Sequence, residues 1–387
     1  MNRIYLDNAA TTRMDERVLE AMMPYMTDAY GNAGGKYSLG YEARRAVNEA
    51  RKKAAALIGA EPDEIFFTSG GTESNNTVIN SFTQDDGAQI IISTEVEHDS
   101  VLNPLKQALK KKIRTHLLKP DIKGSIHPEE LRDFLDKGTS HRKRSDVKKD
   151  LVSVMMVNNE LGTEEPVEEL AHIAHEYGFL FHTDAVQAAG HMMINVKKLD
   201  VDFLSVSGHK LYGPKGTGFL YVKRGTPFRP LIFGGGQEMG MRSGTENVAG
   251  IAGLGVASEL ALKENEKNMG MEAALGKFLK NKLQENIPDT SINGESDRIV
   301  NVSFTGINGT SLMLRLDMEG ICVSTGSACS SGLDERSHVL TALGLSPERC
   351  DSSIRISIGK YNTKNEMERT CECIEKLVAE LRQLSHT

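Results

Sequence analysis

No stretch of these 387 residues is long and apolar enough to span a bilayer, and Met1-Asn2-Arg3-Ile4-Tyr5-Leu6-Asp7 reaches charge before an apolar export segment can form. A cytoplasmic protein without membrane attachment is expected. A basic excess is missing as well. The net charge is -7 and the isoelectric point is near 5.9, which argues against direct nucleic-acid or anionic-membrane binding and leaves small-molecule chemistry as the default. Cysteine is scarce, with five residues at positions 322, 329, 350, 371 and 373. No pair has the gap of a zinc knuckle or redox dithiol, and Cys371 and Cys373 point to different faces of an expected helix. That argues against a disulfide framework or a bound metal and leaves a single reactive thiol open. Internal repeats and low-complexity tracts are absent too.

What is present is an alternation of short apolar runs with helical spacing. Val201-Asp202-Phe203-Leu204 reads as a buried strand that runs into Ser207-Gly208-His209-Lys210 and a glycine-rich turn. A lysine held there, away from bulk water, has its charged form disfavoured, and a neutral ε-amine can form a Schiff base with an aldehyde. Ser207 and His209 can donate to an anion such as phosphate. Upstream, Phe179-Leu180-Phe181 leads to Asp184 and Gln187. Pyridoxal phosphate needs such a pair, a carboxylate at its pyridine nitrogen and a donor near its ring oxygen. Taken alone, Asp184 reads more readily as an ordinary helix cap at a strand's end, and it is the company of Gln187 and Lys210 that turns the reading toward a cofactor.

Two further turns add to this set. Ile65-Phe66-Phe67-Thr68 followed by Gly70-Gly71-Thr72 is a strand, a glycine turn and a helix start, which aims backbone N–H groups at one spot and suits a phosphate. Ile90-Ile91-Ile92 delivers His98 to the carboxyl end of a strand, where open α/β sheets place ligands; His98 is read either as stacking on a cofactor ring or as a capping residue.

The wider pattern predicts an α/β fold with a mostly parallel central sheet in a large domain, residues 15–260, and a smaller α+β domain from residues 1–14 and 261–387. A helix capped by Asp15 is expected through Met26, an irregular piece after Lys112, and a strand over Leu151 to Val157. The texture changes near Met271, where two amphipathic helices are expected. The last helix is expected to be capped by Thr363 with Glu366. Lys137 to Asp150 reads as a solvated polar surface excursion or, alternatively, as a docking site for an acidic partner or RNA.

Several ordered motifs carry a resemblance. They are Tyr5-Leu6-Asp7-Asn8-Ala9-Ala10-Thr11-Thr12, Thr68-Ser69-Gly70-Gly71-Thr72-Glu73-Ser74-Asn75-Asn76, Val157-Asn158-Asn159-Glu160-Leu161-Gly162, His182-Thr183-Asp184-Ala185-Val186-Gln187, Ser207-Gly208-His209-Lys210, Arg242-Ser243-Gly244-Thr245, Ser324-Thr325-Gly326-Ser327-Ala328-Cys329-Ser330-Ser331 and Ser353-Ile354-Arg355-Ile356-Ser357. In this order they resemble the cysteine desulfurases, in the class V aminotransferase branch of the fold-type I pyridoxal-phosphate transferases, over nearly the whole chain.

The resemblance implies pyridoxal 5'-phosphate as cofactor, with Lys210 as its covalent anchor and Asp184 at the pyridine nitrogen. Gln187 would meet the ring oxygen and His98 would stack on the ring and shuttle protons. Gly71, Thr72, Ser207 and His209 would hold the phosphate, with Thr245 reaching it from the second subunit of a homodimer. Asn159 and Arg355 would face the substrate L-cysteine. Cys329, on a loop of small residues in the smaller domain, would take the sulfur as a persulfide, release alanine, and pass the sulfur to an acceptor, an iron-sulfur scaffold or a tRNA-thiolation enzyme. Asn32 belongs to a substrate-contacting loop of the family. Here that loop reads Gly31-Asn32-Ala33-Gly34-Gly35 without its usual proline, which loosens it. A selenocysteine lyase, a class V aminotransferase with an incidental cysteine, and an inactive scaffold in a sulfur relay are the alternatives.

Overall fold

A computed structural model describes residues 3–84, 90–139, 150–325 and 336–385. Cys329 and most of the polar run 137–150 lie outside the described residues. At the centre is a seven-stranded sheet in the spatial order Ile65–Thr68, Gly218–Val222, Phe203–Ser207, Leu180–Asp184, Leu151–Ser153, Ile90–Thr94, Arg114–Leu118. Only Gly218–Val222 runs against the others, pairing antiparallel with both of its neighbours. The carboxyl ends of six strands therefore share one edge.

Alternation along each strand divides the core. Ile90, Ile92, Val152, Phe181, Leu204 and Val206 face one layer, packed under the helices Ser38–Ile58 and Val167–Glu176. Ile91, Leu151, Phe203, Leu220 and Val222 face the other, under Gly71–Ser81 and Asp99–Lys110. Both faces are covered, which is why these strands read as continuous apolar runs. A separate cluster gathers Val300, Val302, Ile354 and Ile356 of a three-stranded antiparallel sheet, Leu377 of the last helix, and Ile4 and Leu6 from the start of the chain. The last helix opens as expected, with Thr363 N–H on Glu366 Oε2 at 2.8 Å. Among the described residues no helix is long and apolar enough to cross a membrane.

Four local expectations are corrected. The helix capped by Asp15, whose Oδ1 accepts from Arg17 N at 3.0 Å, ends at Met22, and Met23–Met26 tightens to a 3-10 turn because Pro24 has no N–H to continue the ladder. The piece after Lys112 contains the edge strand Arg114–Leu118, polar because an edge needs only one apolar face. The regular strand after Asp150 covers only Leu151–Ser153, although Val154 N and Met156 N still bond His182 O and Asp184 O. The two amphipathic helices near Met271 are one helix, Val248–Asn286, of 39 residues.

That helix runs roughly 60 Å. Its first half packs Ile251, Leu254 and Ala257 into the large-sheet core; its second packs Leu275, Leu279 and Leu283 into the other. The polar middle, which mimics a break in the sequence, is where it passes between them. At Gly276 a Cβ would lie 1.5 Å from the carbonyl oxygen of Asp297. Backbone cannot yield cheaply, so Gly276→Ala is expected to cost about 1–3 kcal/mol, read as a lowered Tm.

His175 sits between Asp200 (3.2 Å) and Asp202 (2.8 Å), and the Asp202 hydrogen bond raises its pKa above the usual 6.5. The resulting stabilisation is complete below the unfolded value and is lost as pH rises through the folded one. The Tm deficit of His175→Gln should therefore be larger near about pH 6 than near about pH 9; an equal deficit at both would refute the charged pair.

Candidate active site

The carboxyl edge of the sheet holds a cavity of ≈ 200 Å³. Ten of the nominated residues line it: Gly71, Thr72, His98, Asn159, Asp184, Gln187, Ser207, His209, Lys210 and Arg355. They reach one place because strands that are distant in sequence end side by side, as at the ligand crevice of open α/β sheets.

Asp184 ends its strand buried, with Oδ1 accepting from Val186 N at 2.9 Å and Oδ2 from Asn75 Nδ2 at 2.6 Å. Two fixed donors aim the carboxylate. Lys210 ends the 3-10 turn Gly208–Lys210, and its Nζ donates to the carbonyls of Ala9 and Ala10. Gln187 Nε2 donates to the same Ala9 carbonyl at 2.8 Å. His209 lies 3.1 Å from Thr11 Oγ1, and burial, with Lys210 and Lys215 nearby, lowers its pKa to about 4. It is therefore neutral near neutral pH and can donate one N–H without adding charge.

The opposite end is built from Gly70 and Gly71. Gly70 has φ 148°, a conformation that disfavours a side chain, and Gly71 opens an 11-residue helix whose first N–H groups have no partner within the helix. A Cβ at Gly71 would meet Val186 at 2.5 Å. Arg355, also lining the cavity, is held in plane by Nη1 on Asn159 O (2.9 Å) and Nη2 on Asp7 Oδ1 (2.7 Å). Its Nε is buried with no hydrogen-bond partner among the described residues. His98 lines the cavity and caps Asp99–Lys110, its Nδ1 accepting from Ser100 N, as the capping reading expects.

Two nominated residues are elsewhere. Asn32 is exposed, with Oδ1 accepting from Gly34 N at 2.8 Å, and Thr245 is exposed on the segment before the long helix. Neither lines the cavity of this chain. Sequence reasoning passed over Ala9 and Ala10 as walls, Asp7 as the partner of Arg355, and Asn75 and Ser100 around Asp184 and His98. The first three lie in the Asp7-Asn8-Ala9-Ala10 motif and Asn75 in the glycine-turn motif, which was the available signal.

The sequence profile described as Aminotransferase class-V matches residues 4–370. The chain is 44% identical over 388 residues to a cysteine desulfurase IscS of Dictyoglomus turgidum, covering 99% of this chain and 96% of that one. It is 43% identical to a cysteine desulfurase of a Nostoc species, covering 100% and 95%. The chain belongs to the class-V aminotransferase family, in its cysteine desulfurase branch. Among solved structures, a NifS-like protein superposes with TM-score 0.89 at 36% identity, over 98% of this chain and 100% of that one. SspA in complex with cysteine gives TM-score 0.79 at 33%, over 93% and 100%.

A class-V chain of this branch is expected to hold pyridoxal phosphate, and the cavity's residues fit that group. The glycine cradle at 70–71 admits a phosphate where a side chain would not fit, and an oriented carboxylate and a lysine amine face the same space. Filling the cradle should therefore weaken the cofactor. Gly71→Ala is expected to lower pyridoxal-phosphate affinity about tenfold or more, from the 1–3 kcal/mol typical of overpacking, measured by absorbance titration of cofactor-free protein; unchanged affinity would remove the cradle from the site.

Proposed function

We propose that this protein is a pyridoxal-phosphate-dependent cysteine desulfurase, of the EC 2.8.1.7 type, acting in the cytoplasm. L-cysteine is converted to L-alanine, with the sulfur left as a persulfide on Cys329 for transfer to an acceptor protein. The observation that carries this reading is the convergence of Lys210, Asp184, the glycine cradle and Arg355 on one cavity, in a chain whose relatives carry that name.

When bound, pyridoxal phosphate supplies the electron sink that makes the substrate Cα–H acidic. Lys210 would anchor it, Asp184 would keep a proton on its ring nitrogen, and Gln187 would donate at the ring oxygen. Gly71, Thr72, Ser207 and neutral His209 would bind its phosphate. Arg355 is suited to the substrate carboxylate: Asp7 and Asn159 have already fixed its plane, and its buried Nε offers a donor.

Cys329 would take the substrate sulfur as a thiolate. The four described thiols, at 322, 350, 371 and 373, are all pushed up in pKa, chiefly by burial, Cys371 to about 12. Such thiols are poor nucleophiles at neutral pH, which supports assigning the chemistry to the remaining one.

The assembly belongs to the same proposal. A large cofactor domain of residues 15–260 and a small domain of residues 1–14 and 261–387 fit the separate hydrophobic clusters. A homodimer is supported by exposed Phe233 and Met239 beside the segment of Thr245, an apolar surface suited to a second copy that would bring Thr245 to the other cavity. The acceptor is an iron-sulfur scaffold or a tRNA-thiolation enzyme.

Purified protein given L-cysteine and a thiol should release alanine and sulfide. Cys329→Ala should lower sulfide release on the order of 10²-fold or more while keeping the cofactor's absorbance, and Lys210→Ala should lose the lysine-linked band. Full sulfide release from Cys329→Ala would refute the assignment, and turnover of selenocysteine alone would replace it with the lyase.

A further inference from the structure

His98 reaches the cavity from the first residue boundary of a helix, and that position constrains its ring. The helix Asp99–Lys110 begins with N–H groups that its own turns cannot satisfy. His98 Nδ1 lies 3.0 Å from the backbone N–H of Ser100, and a backbone N–H can only donate. Nδ1 must therefore present its lone pair. The Ser100 hydroxyl lies 2.8 Å from the same nitrogen. Its oxygen also accepts from Asn75 Nδ2 at 2.8 Å, and because Nδ1 presents its lone pair to the backbone N–H, the contact with the hydroxyl is made through the hydroxyl proton. The second N–H of Asn75 is committed to Asp184. Two donors thus converge on Nδ1.

We propose that these bonds hold His98 as the neutral imidazole with its proton on Nε2, so that it faces the cavity as a hydrogen-bond donor and not as the base for the substrate Cα proton. A neutral imidazole carries one N–H, and the cap has decided which nitrogen bears it. To take up a second proton, Nδ1 would have to turn an N–H against the Ser100 N–H. Asn75 and Ser100 become positioning residues that act through His98 and Asp184.

The charged groups around the ring do not reverse this. Across the cavity stand Asp184, Lys210 and Arg355, with neutral His209 beyond. On the ring's own segment are Asp99, the first helical residue, and Glu97, whose carboxyl burial pushes well above the usual range, so that it adds no negative charge to draw a proton onto His98.

The inference rests on the pyridoxal-phosphate reading for what the Nε2–H meets, and its test separates the two. Protein labelled with ¹⁵N-histidine, with His98→Gln for assignment, would be followed by NMR between about pH 5 and 8, with and without pyridoxal phosphate, cofactor loading being read independently from absorbance. His98 should show a protonated Nε2 and an unprotonated Nδ1 throughout the range in both forms. Ser100→Ala, which keeps the backbone N–H, should keep that pattern. In kinetics, His98→Gln should lower turnover and leave the midpoint of the acidic limb of kcat/KM where it was. A proton on Nδ1, an imidazolium with an ordinary pKa, loss of the pattern in Ser100→Ala, or loss of the acidic limb in His98→Gln would each overturn it. Failure to load the cofactor would overturn the cofactor reading and leave the tautomer measurable in the cofactor-free protein.

Discussion

The amine of Lys210 rests on the carbonyls of Ala9 and Ala10, and most of the site depends on that contact. The lysine belongs to a turn on the large sheet. The two alanines follow Ile4 and Leu6, which are buried in the other core, and Ala9 N is tied to Ser357 Oγ at 2.8 Å. One strap of chain thus connects the Lys210 amine to the strand Ser353–Ser357 that carries Arg355. The same strap supplies Asp7 to the Arg355 guanidinium and a carbonyl to Gln187. If either core shifted, the amine and the guanidinium would lose their common reference. Positioning to within a fraction of an ångström is what turns a collection of reactive groups into a catalyst.

Charges are buried around this contact, and each has a partner that offsets its desolvation. Arg355, 2% exposed, meets Asp7 and a carbonyl; Asp184 meets an amide and a backbone N–H; Lys360 meets Asp15 at 2.6 Å under the ring of Tyr212. An unpaired charge in such a place would cost several kcal/mol. The pairs fix geometry more than they stabilise the fold.

How much of this was legible in the residues varies with how local the cause is. The turn carrying Lys210, the glycine turn at 70–71 and the Thr363 cap are set within a few residues, and each was read correctly. The long helix opening near Val248 is legible, but its continuation past Met271 reads as separate helices, because a polar middle looks the same whether a chain bends there or crosses from one core to another. Arg114–Leu118 was passed over because an edge strand lacks the apolar run of its interior neighbours. Asn75 was visible only as part of a motif; that its two N–H groups divide between Asp184 and Ser100 is a fact of helix packing.

The sequence by itself determined the identity of the chemical groups, the order of strand and helix, and the family. Those are written in local spacing and in motifs whose residue types follow from the reaction. Tertiary structure alone decided that Ala9 would meet Lys210 and Asp7 would meet Arg355, each across more than a hundred intervening residues, and that Asn32 and Thr245 would stand outside the cavity of their own chain. It also decided which nitrogen of His98 meets the Ser100 N–H. The reason is that hydrogen-bond direction depends on three-dimensional neighbours, and strand pairing brings together residues whose separation along the chain carries no record of the contact.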